Sequence, residues 1–227
     1  MDRTFVITGA STGIGAATAR AAVAAGDRVV LAARSEDKLR ALAEELGGDD
    51  VARTQRCDVT RWADNEALVA AALEAFGSID VVFANAGFGA SRGWLEESPE
   101  RWESMVATNV TGAAFTARAA LPALKEARGH LLLTGSGAGR LVMPGSLYSV
   151  TKHAVHAMAE AIRTDPDLEG SGVRTTVIAP GMVDTPFFDT PKDGALRAED
   201  VAGAVMYAVD QPATVDVNEV LIRPATR

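Results

Sequence analysis

Tyr148 and Lys152 stand four positions apart in GSLYSVTKHAV, residues 145–155. On a helix that spacing puts both side chains on one face. A phenol ordinarily titrates near ~10 and a lysine ammonium near ~10.4. An ammonium beside a phenol favours the phenolate, and a tyrosine brought toward neutrality can give a proton to an oxygen or take one from it. A drop from ~10 to ~7 corresponds to roughly 4 kcal/mol, within reach of one ammonium in a partly dry site when a second positive charge helps it. The other reading of the pair is an exposed helix with a chance pairing, and the rest of the chain has to decide between them.

The elements that would position such a pair follow from alternating patterns. Short β-branched runs read as strands at 4–9, 28–33, 51–59 (the weakest), 79–87, 130–136, 173–181 and 218–224. Between them, amphipathic runs read as helices at 13–26, 35–48, 61–77, 98–127 (one long helix or two joined ones), 146–165 and 198–210. Ser35 and Ser146 are expected N-caps, Gly26 a helix end, and Pro122 a kink in the long 98–127 run. Strand–helix alternation with continuously apolar strands implies a parallel sheet covered on both faces. The expected fold is therefore α/β: a doubly wound Rossmann-type domain, about seven-stranded and parallel, spanning 1–227 as one unit. The irregular stretch 182–197 follows a strand end and is placed to border a ligand.

TGASTGIG, residues 8–15, follows the first strand and opens the first helix. Gly9 permits the tight turn, while Gly13 and Gly15 let the helix start approach a pyrophosphate, whose charge the free N–H groups and the helix dipole favour. A plain strand-to-helix turn is the competing explanation. No GxxxxGK[ST] motif occurs, which excludes a P-loop.

The glycine spacing is GxxxGxG. Together with NAG at 85–87, Tyr148-x-x-x-Lys152 and PG at 180–181, in that order along residues 4–223, it resembles the short-chain dehydrogenase/reductase family in its classical branch. The resemblance implies NAD(H)- or NADP(H)-dependent oxidoreduction. It marks Asn109, Ser136, Tyr148 and Lys152 as catalytic. Ser136 would orient the substrate oxygen, Lys152 would also bond the nicotinamide ribose, and Asn109 would hold a water linking Lys152 to solvent. It marks Gly9, Ser11, Thr12, Gly13, Ile14, Gly15, Asp58, Val59, Asn85, Ala86 and Gly87 for the adenosine and pyrophosphate, and Pro180, Gly181, Val183 and Thr185 for the nicotinamide. Two departures stand out: Ala84 replaces the first Asn of an NNAG pattern, and Ser136 precedes Tyr148 by twelve residues rather than the common thirteen.

The second strand ends LAARSED. Ala33 stands where an NAD-selecting acid is expected, and Arg34 and Ser35 follow. A guanidinium fork and a hydroxyl suit a 2′-phosphate, which favours NADP(H) over NAD(H). Relatives of the NADP type often carry a basic residue in the glycine loop, where this chain has Thr12.

The net charge of −8 over 227 residues argues against nucleic-acid binding. No apolar window is long enough to span a membrane, and no signal peptide opens the chain. One cysteine, Cys57, allows no internal disulfide, consistent with a cytoplasmic protein. No metal is expected: His153 and His156 have no surrounding ligand pattern. The expected partner is a small carbonyl compound or alcohol. Trp94, Met143, Met182, Phe187 and Phe188 are equally credible as pocket lining or packing. The resemblance implies a homodimer or homotetramer; the small apolar face of helix 146–165 (Val150, Ala154, Ala157, Met158, Ala161) reads either as an interface or as ordinary core. Two rival functions remain: a non-catalytic dinucleotide-binding sensor or scaffold, and a dehydratase or epimerase on the same fold.

Overall fold

A computed structural model describes residues 2–188 and 190–225; Asp189, within the 182–197 segment, lies outside them. Seven parallel strands form one sheet: β1 (Thr4–Thr8), β2 (Arg28–Ala33), β3 (Ala52–Arg56), β4 (Val81–Ala84), β5 (His130–Thr134), β6 (Arg174–Pro180) and β9 (Glu219–Ile222). Their order is β3-β2-β1-β4-β5-β6-β9. β7 (Val183–Asp184) and β8 (Leu196–Arg197) make a separate short parallel pair. The chain thus winds outward in one direction from β1 and then in the other from β4. The loops leaving these two strands diverge and open a crevice at their carboxyl ends.

Strand residues alternate between the two faces. Phe5, Ile7, Val29, Leu31, Val81, Phe83 and Leu132 join one apolar cluster, with residues from α1 (Gly13–Ala24), α2 (Glu36–Glu45) and α7 (Ala198–Val209). Val6, Val30, Val82, Ala84, Leu131 and Leu133 join the other, with α3 (Trp62–Phe76), α5 (Ala113–Ala127) and α6 (Leu147–Arg163). Burial on both faces explains the unbroken apolar runs. β3 (ARTQR) lies at the sheet edge with mostly exposed side chains, which explains its weak signal.

One local expectation, the N-cap at Ser35, needs correction. The 98–127 run is two joined helices, with Pro122 inside α5. It is interrupted earlier, where α4 (Pro99–Val106) passes through a π-helical turn at Ala107–Gly112 before α5 begins. Ser35 occupies the N-cap position of α2 without a side-chain capping bond, whereas Ser146 does cap α6 through Ser149 N. Among the described residues, no helix is long and apolar enough to cross a membrane.

His130 opens β5, 1% exposed, with Nε2 2.7 Å from Thr176 Oγ1. Burial, reinforced by Arg174 and Arg3, pushes its imidazole down to about 3 from an ordinary value of 6.5. Below ~6.5 the unfolded chain takes up a proton that the folded chain refuses, so stability falls as pH drops from 6.5 toward 3. At ~1.4 kcal/mol per pH unit, about 2 kcal/mol is lost by pH 5. Urea midpoints of the wild type and His130→Leu at pH 5, 6 and 7.5 check this: the variant should show the flatter dependence, and equal slopes would contradict the assignment.

Candidate active site

At the C-terminal end of β1 the chain turns through Gly9 at φ +65° and enters α1 through Gly13 at φ +56°. Both values lie in the left-handed region that favours glycine. A Cβ on Gly9 would stand 2.9 Å from the Ala86 Cα, and one on Gly13 3.2 Å from the Thr185 Cβ. The glycine loop, the NAG loop and the 183–185 segment therefore converge. Thr12, the N-cap of α1, makes no side-chain capping bond, so the first N–H groups of the helix face the crevice among Ser11, Thr12, Gly13 and Ile14. The cradle fits a pyrophosphate through these backbone donors and the absence of side chains at Gly9 and Gly13.

Arg34 and Ser35 are exposed at the end of β2, beyond buried Ala33. Glu36 and Asp37 pair with Arg56 and Arg40. Asp58, next to Val59, accepts Thr60 N at 3.1 Å and Thr60 Oγ1 at 2.7 Å through Oδ1. Burial opposes its charge, but the Thr60 bonds with Arg34 and Arg61 outweigh it and hold the carboxyl below its ordinary value. It is therefore an acceptor at neutral pH.

Asn85 knots the strand ends together. Its Nδ2 donates to Thr8 O at 3.0 Å, its backbone N–H to Thr8 Oγ1 at 3.0 Å, and its Oδ1 accepts Thr134 Oγ1 at 3.0 Å. Ala86 N also donates to Thr8 Oγ1, at 3.2 Å. β1, β4 and β5 are thus tied at the crevice floor by two threonines that sequence reasoning left out; their only signal is a Thr immediately before Gly at each strand end.

Asn109 sits in the π-helical turn, 2% exposed. Its Oδ1 accepts Phe88 N at 3.0 Å; its Nδ2 donates to Phe88 O at 2.9 Å and to Thr151 Oγ1 at 3.1 Å. A Cβ on Gly87 would stand 3.0 Å from Asn109 Oδ1 and 3.8 Å from Lys152 Nζ. Asn109, Gly87 and Lys152 are therefore neighbours, although they lie far apart in the chain.

Lys152 is 4% exposed, and its Nζ donates to Thr134 O at 2.7 Å. Burial pushes the ammonium down to about 8. Tyr148 lies on the same face of α6, its ring centroid 5.5 Å from Lys152 Nζ. Burial pushes the phenol up to about 12, partly offset by the Ser136 hydroxyl. This corrects the expectation of a phenol lowered by its lysine. Desolvation dominates, and the ammonium is bonded to Thr134 and sits over the ring.

Ser136 follows β5. Its Oγ accepts Ala138 N at 3.1 Å and lies 3.5 Å from Pro180 O, next to Gly181. The shorter loop to Tyr148 is drawn in by a 3₁₀ turn at Gly137–Gly139 and by Ser149. Ser149 Oγ bonds Ala138 O at 2.5 Å, Leu141 O at 3.2 Å and Met143 N at 3.2 Å. Phe187 sets its ring edge against Tyr148, centroids 5.7 Å apart. Phe188 packs on Phe187, and Trp94 on Trp102. On α6, Val150, Ala157 and Ala161 are exposed.

The short chain dehydrogenase model matches residues 3–194. The chain belongs to the short-chain dehydrogenase/reductase family and is an NAD(P)-dependent oxidoreductase. It is 40% identical over 227 residues to an uncharacterized oxidoreductase of Staphylococcus haemolyticus, covering 98% of this chain and 97% of that one. Among solved structures it resembles an alcohol dehydrogenase from the archaeon Thermococcus sibiricus complexed with 5-hydroxy-NADP, at TM-score 0.91 and 33% identity over 100% of this chain and 98% of that one. It also resembles serine dehydrogenase from Escherichia coli, at TM-score 0.88 and 32% identity over 99% of each.

Truncating Asn109 to alanine removes three bonds and leaves the Phe88 backbone unpaired. The Asn109→Ala variant should lose about 1–3 kcal/mol of unfolding free energy. Urea denaturation at pH 7.5 reads this directly, and an unchanged midpoint would show that the π-turn is held by other contacts.

Proposed function

We propose that this protein is an NADP(H)-dependent oxidoreductase that interconverts a carbonyl compound and an alcohol, with residues 1–227 acting as one dinucleotide-binding and catalytic domain. The observation that carries this reading is the meeting of Ser136, Tyr148, Lys152 and Asn109 at the carboxyl end of β5, beside the glycine cradle. A sensor or scaffold has no use for a half-buried acid beside a buried ammonium.

Gly9, Ser11, Thr12, Gly13, Ile14 and Gly15 would hold the pyrophosphate, and Asp58 and Val59 the adenine. Asn85, Ala86 and Gly87 would pass beneath the adenosine ribose; Pro180, Gly181, Val183 and Thr185 would hold the carboxamide. Arg34 and Ser35 would take the 2′-phosphate, a reading supported by the exposed guanidinium beyond an apolar Ala33 and by the 5-hydroxy-NADP in the archaeal relative. When bound, the nicotinamide supplies or accepts the hydride. Ser136 then orients the substrate oxygen toward Tyr148, whose phenol gives the proton as carbonyl becomes alcohol and recovers it in reverse. Lys152, with its ammonium beside the Tyr148 ring, would bond the nicotinamide ribose when the cofactor is bound. Asn109 holds the way out for the proton.

The rim supports a substrate with apolar substituents. Leu141 and Val142 are exposed in the loop between Ser136 and Tyr148, Met182 follows Gly181, and Phe187 borders Tyr148. Trp94 is exposed on a loop whose Gly93 N–H bonds Gly145 O. The family resemblance further supports a homodimer or homotetramer, and the single cysteine a cytoplasmic protein.

Calorimetric titration with NADPH and NADH tests the cofactor. NADPH should bind the tighter, and Arg34→Ala should weaken NADPH about 10- to 100-fold while leaving NADH unchanged. Equal affinities in the wild type would remove Arg34 as selector. The chemistry is tested by following NADPH oxidation across apolar ketones and aldehydes. Tyr148→Phe should cost about 10²- to 10⁴-fold in kcat while NADPH still binds; retained turnover would exclude Tyr148 as the acid.

A further inference from the structure

His156 continues the face of α6 that carries Tyr148 and Lys152, at intervals of four residues. Its side chain is 7% exposed, and neither ring nitrogen has a hydrogen-bond partner among the described residues. Leaving an imidazole dry and unpaired is costly, and an aliphatic side chain would fill the same space without that cost. The ring lies directly beneath the Ser136 turn. A Cβ on Gly135 would stand 2.6 Å from His156 Nε2, and one on Gly139 2.6 Å from Cδ2. The two glycines flanking the serine turn thus allow the backbone to rest on the imidazole. The other edge of the ring looks to β9, with Nδ1 3.9 Å from Glu219 Oε1. Glu219 is itself paired with Arg140, the residue that ends the serine turn.

We propose that His156 is a positioning residue for Ser136. The neutral imidazole is the platform that sets the 135–139 turn, and with it the Ser136 hydroxyl, at the level of the Tyr148 phenol. This rests on the oxidoreductase reading above. The titratable and charged groups facing the ring are Glu219 from β9, Arg140 from the turn and His153 on its own helix; Val177 faces it from β6 as an apolar neighbour. Burial holds the imidazole below its ordinary value of 6.5, ahead of the opposing attraction of Glu219 and a nearby Ser136 backbone group. When the pH falls far enough to protonate it, the imidazolium competes with Arg140 for Glu219. The turn is then pulled at its middle and at its end, and Ser136 leaves its position.

The test uses the full chain with NADPH and 1-phenyl-1,2-propanedione as probe ketone. His156→Ala should lower kcat about 10- to 100-fold with unchanged NADPH affinity, since only the serine is displaced. His156→Gln, neutral at every pH, should keep most of the kcat at pH 7.5 and lose the fall in kcat that the wild type shows below pH 6.5. The amide shifts of Gly135, Ala138 and Gly139, read by NMR without turnover, should titrate below pH 6.5 in the wild type and stay flat in His156→Gln. Wild-type kcat in His156→Ala, an acid limb retained in His156→Gln, or flat shifts in the wild type would each overturn the proposal. A wild type that binds NADPH but does not reduce the ketone would count against the proposed reaction with this probe, and the amide shifts would still decide the role of His156.

Discussion

The bond from Lys152 Nζ to Thr134 O is the constraint on which the rest of the site depends. An ammonium 4% exposed needs acceptors, and among the described residues this carbonyl at the end of β5 is the one supplied. Thr134 is in turn fixed through its hydroxyl to Asn85, which is stitched to Thr8. The ends of three strands therefore share one hydrogen-bonded floor, and the lysine is anchored to it. α6 must dock so that its lysine reaches that floor, and once it does, Tyr148 one turn earlier is carried to the mouth of the crevice. Lys152, and Tyr148 with it, are thus placed by the end of the sheet.

The same burial that anchors Lys152 sets the electrostatics. Desolvation acts on acid and base in opposite directions, pulling the ammonium down to about 8 and lifting the phenol to about 12. At neutral pH the phenol is protonated and the ammonium still mostly charged, with Thr134 as its acceptor. Low dielectric makes each added charge or hydrogen bond count for more than it would in water. A site in this condition responds strongly to whatever next enters it, which is what a proton-transfer pair requires.

Much of this was legible in the sequence. Seven runs of apolar residues became the seven strands because burial on both faces leaves no polar alternation to confuse the signal, and β3 read weakly because it is an edge. The glycine loop was readable because only glycine satisfies its backbone at Gly9 and Gly13. The interruption at 107–112 was not found from helix chemistry: Pro122 is the louder local signal, whereas the π-turn is held by bonds from Asn109 to Phe88, 21 residues away. Thr8, Thr134 and Thr151 were invisible because a threonine at a strand end or in a helix has no pattern of its own; their roles come only from the partners that folding brings. The sign of the Tyr148 shift was missed for a related reason. Spacing on a helix states that two groups are neighbours but not how dry they are, nor to which atom the cation is bonded.

The most direct test of this account is the titration of the four lysines by NMR of Cε-labelled protein, with Lys152→Met to assign the signal. The account predicts a lysine signal titrating at about 8 that is absent from Lys152→Met. A Lys152 signal titrating near the ordinary ~10.4 would mean that the ammonium is solvated. The buried bond to Thr134 would then not be the anchor of the site.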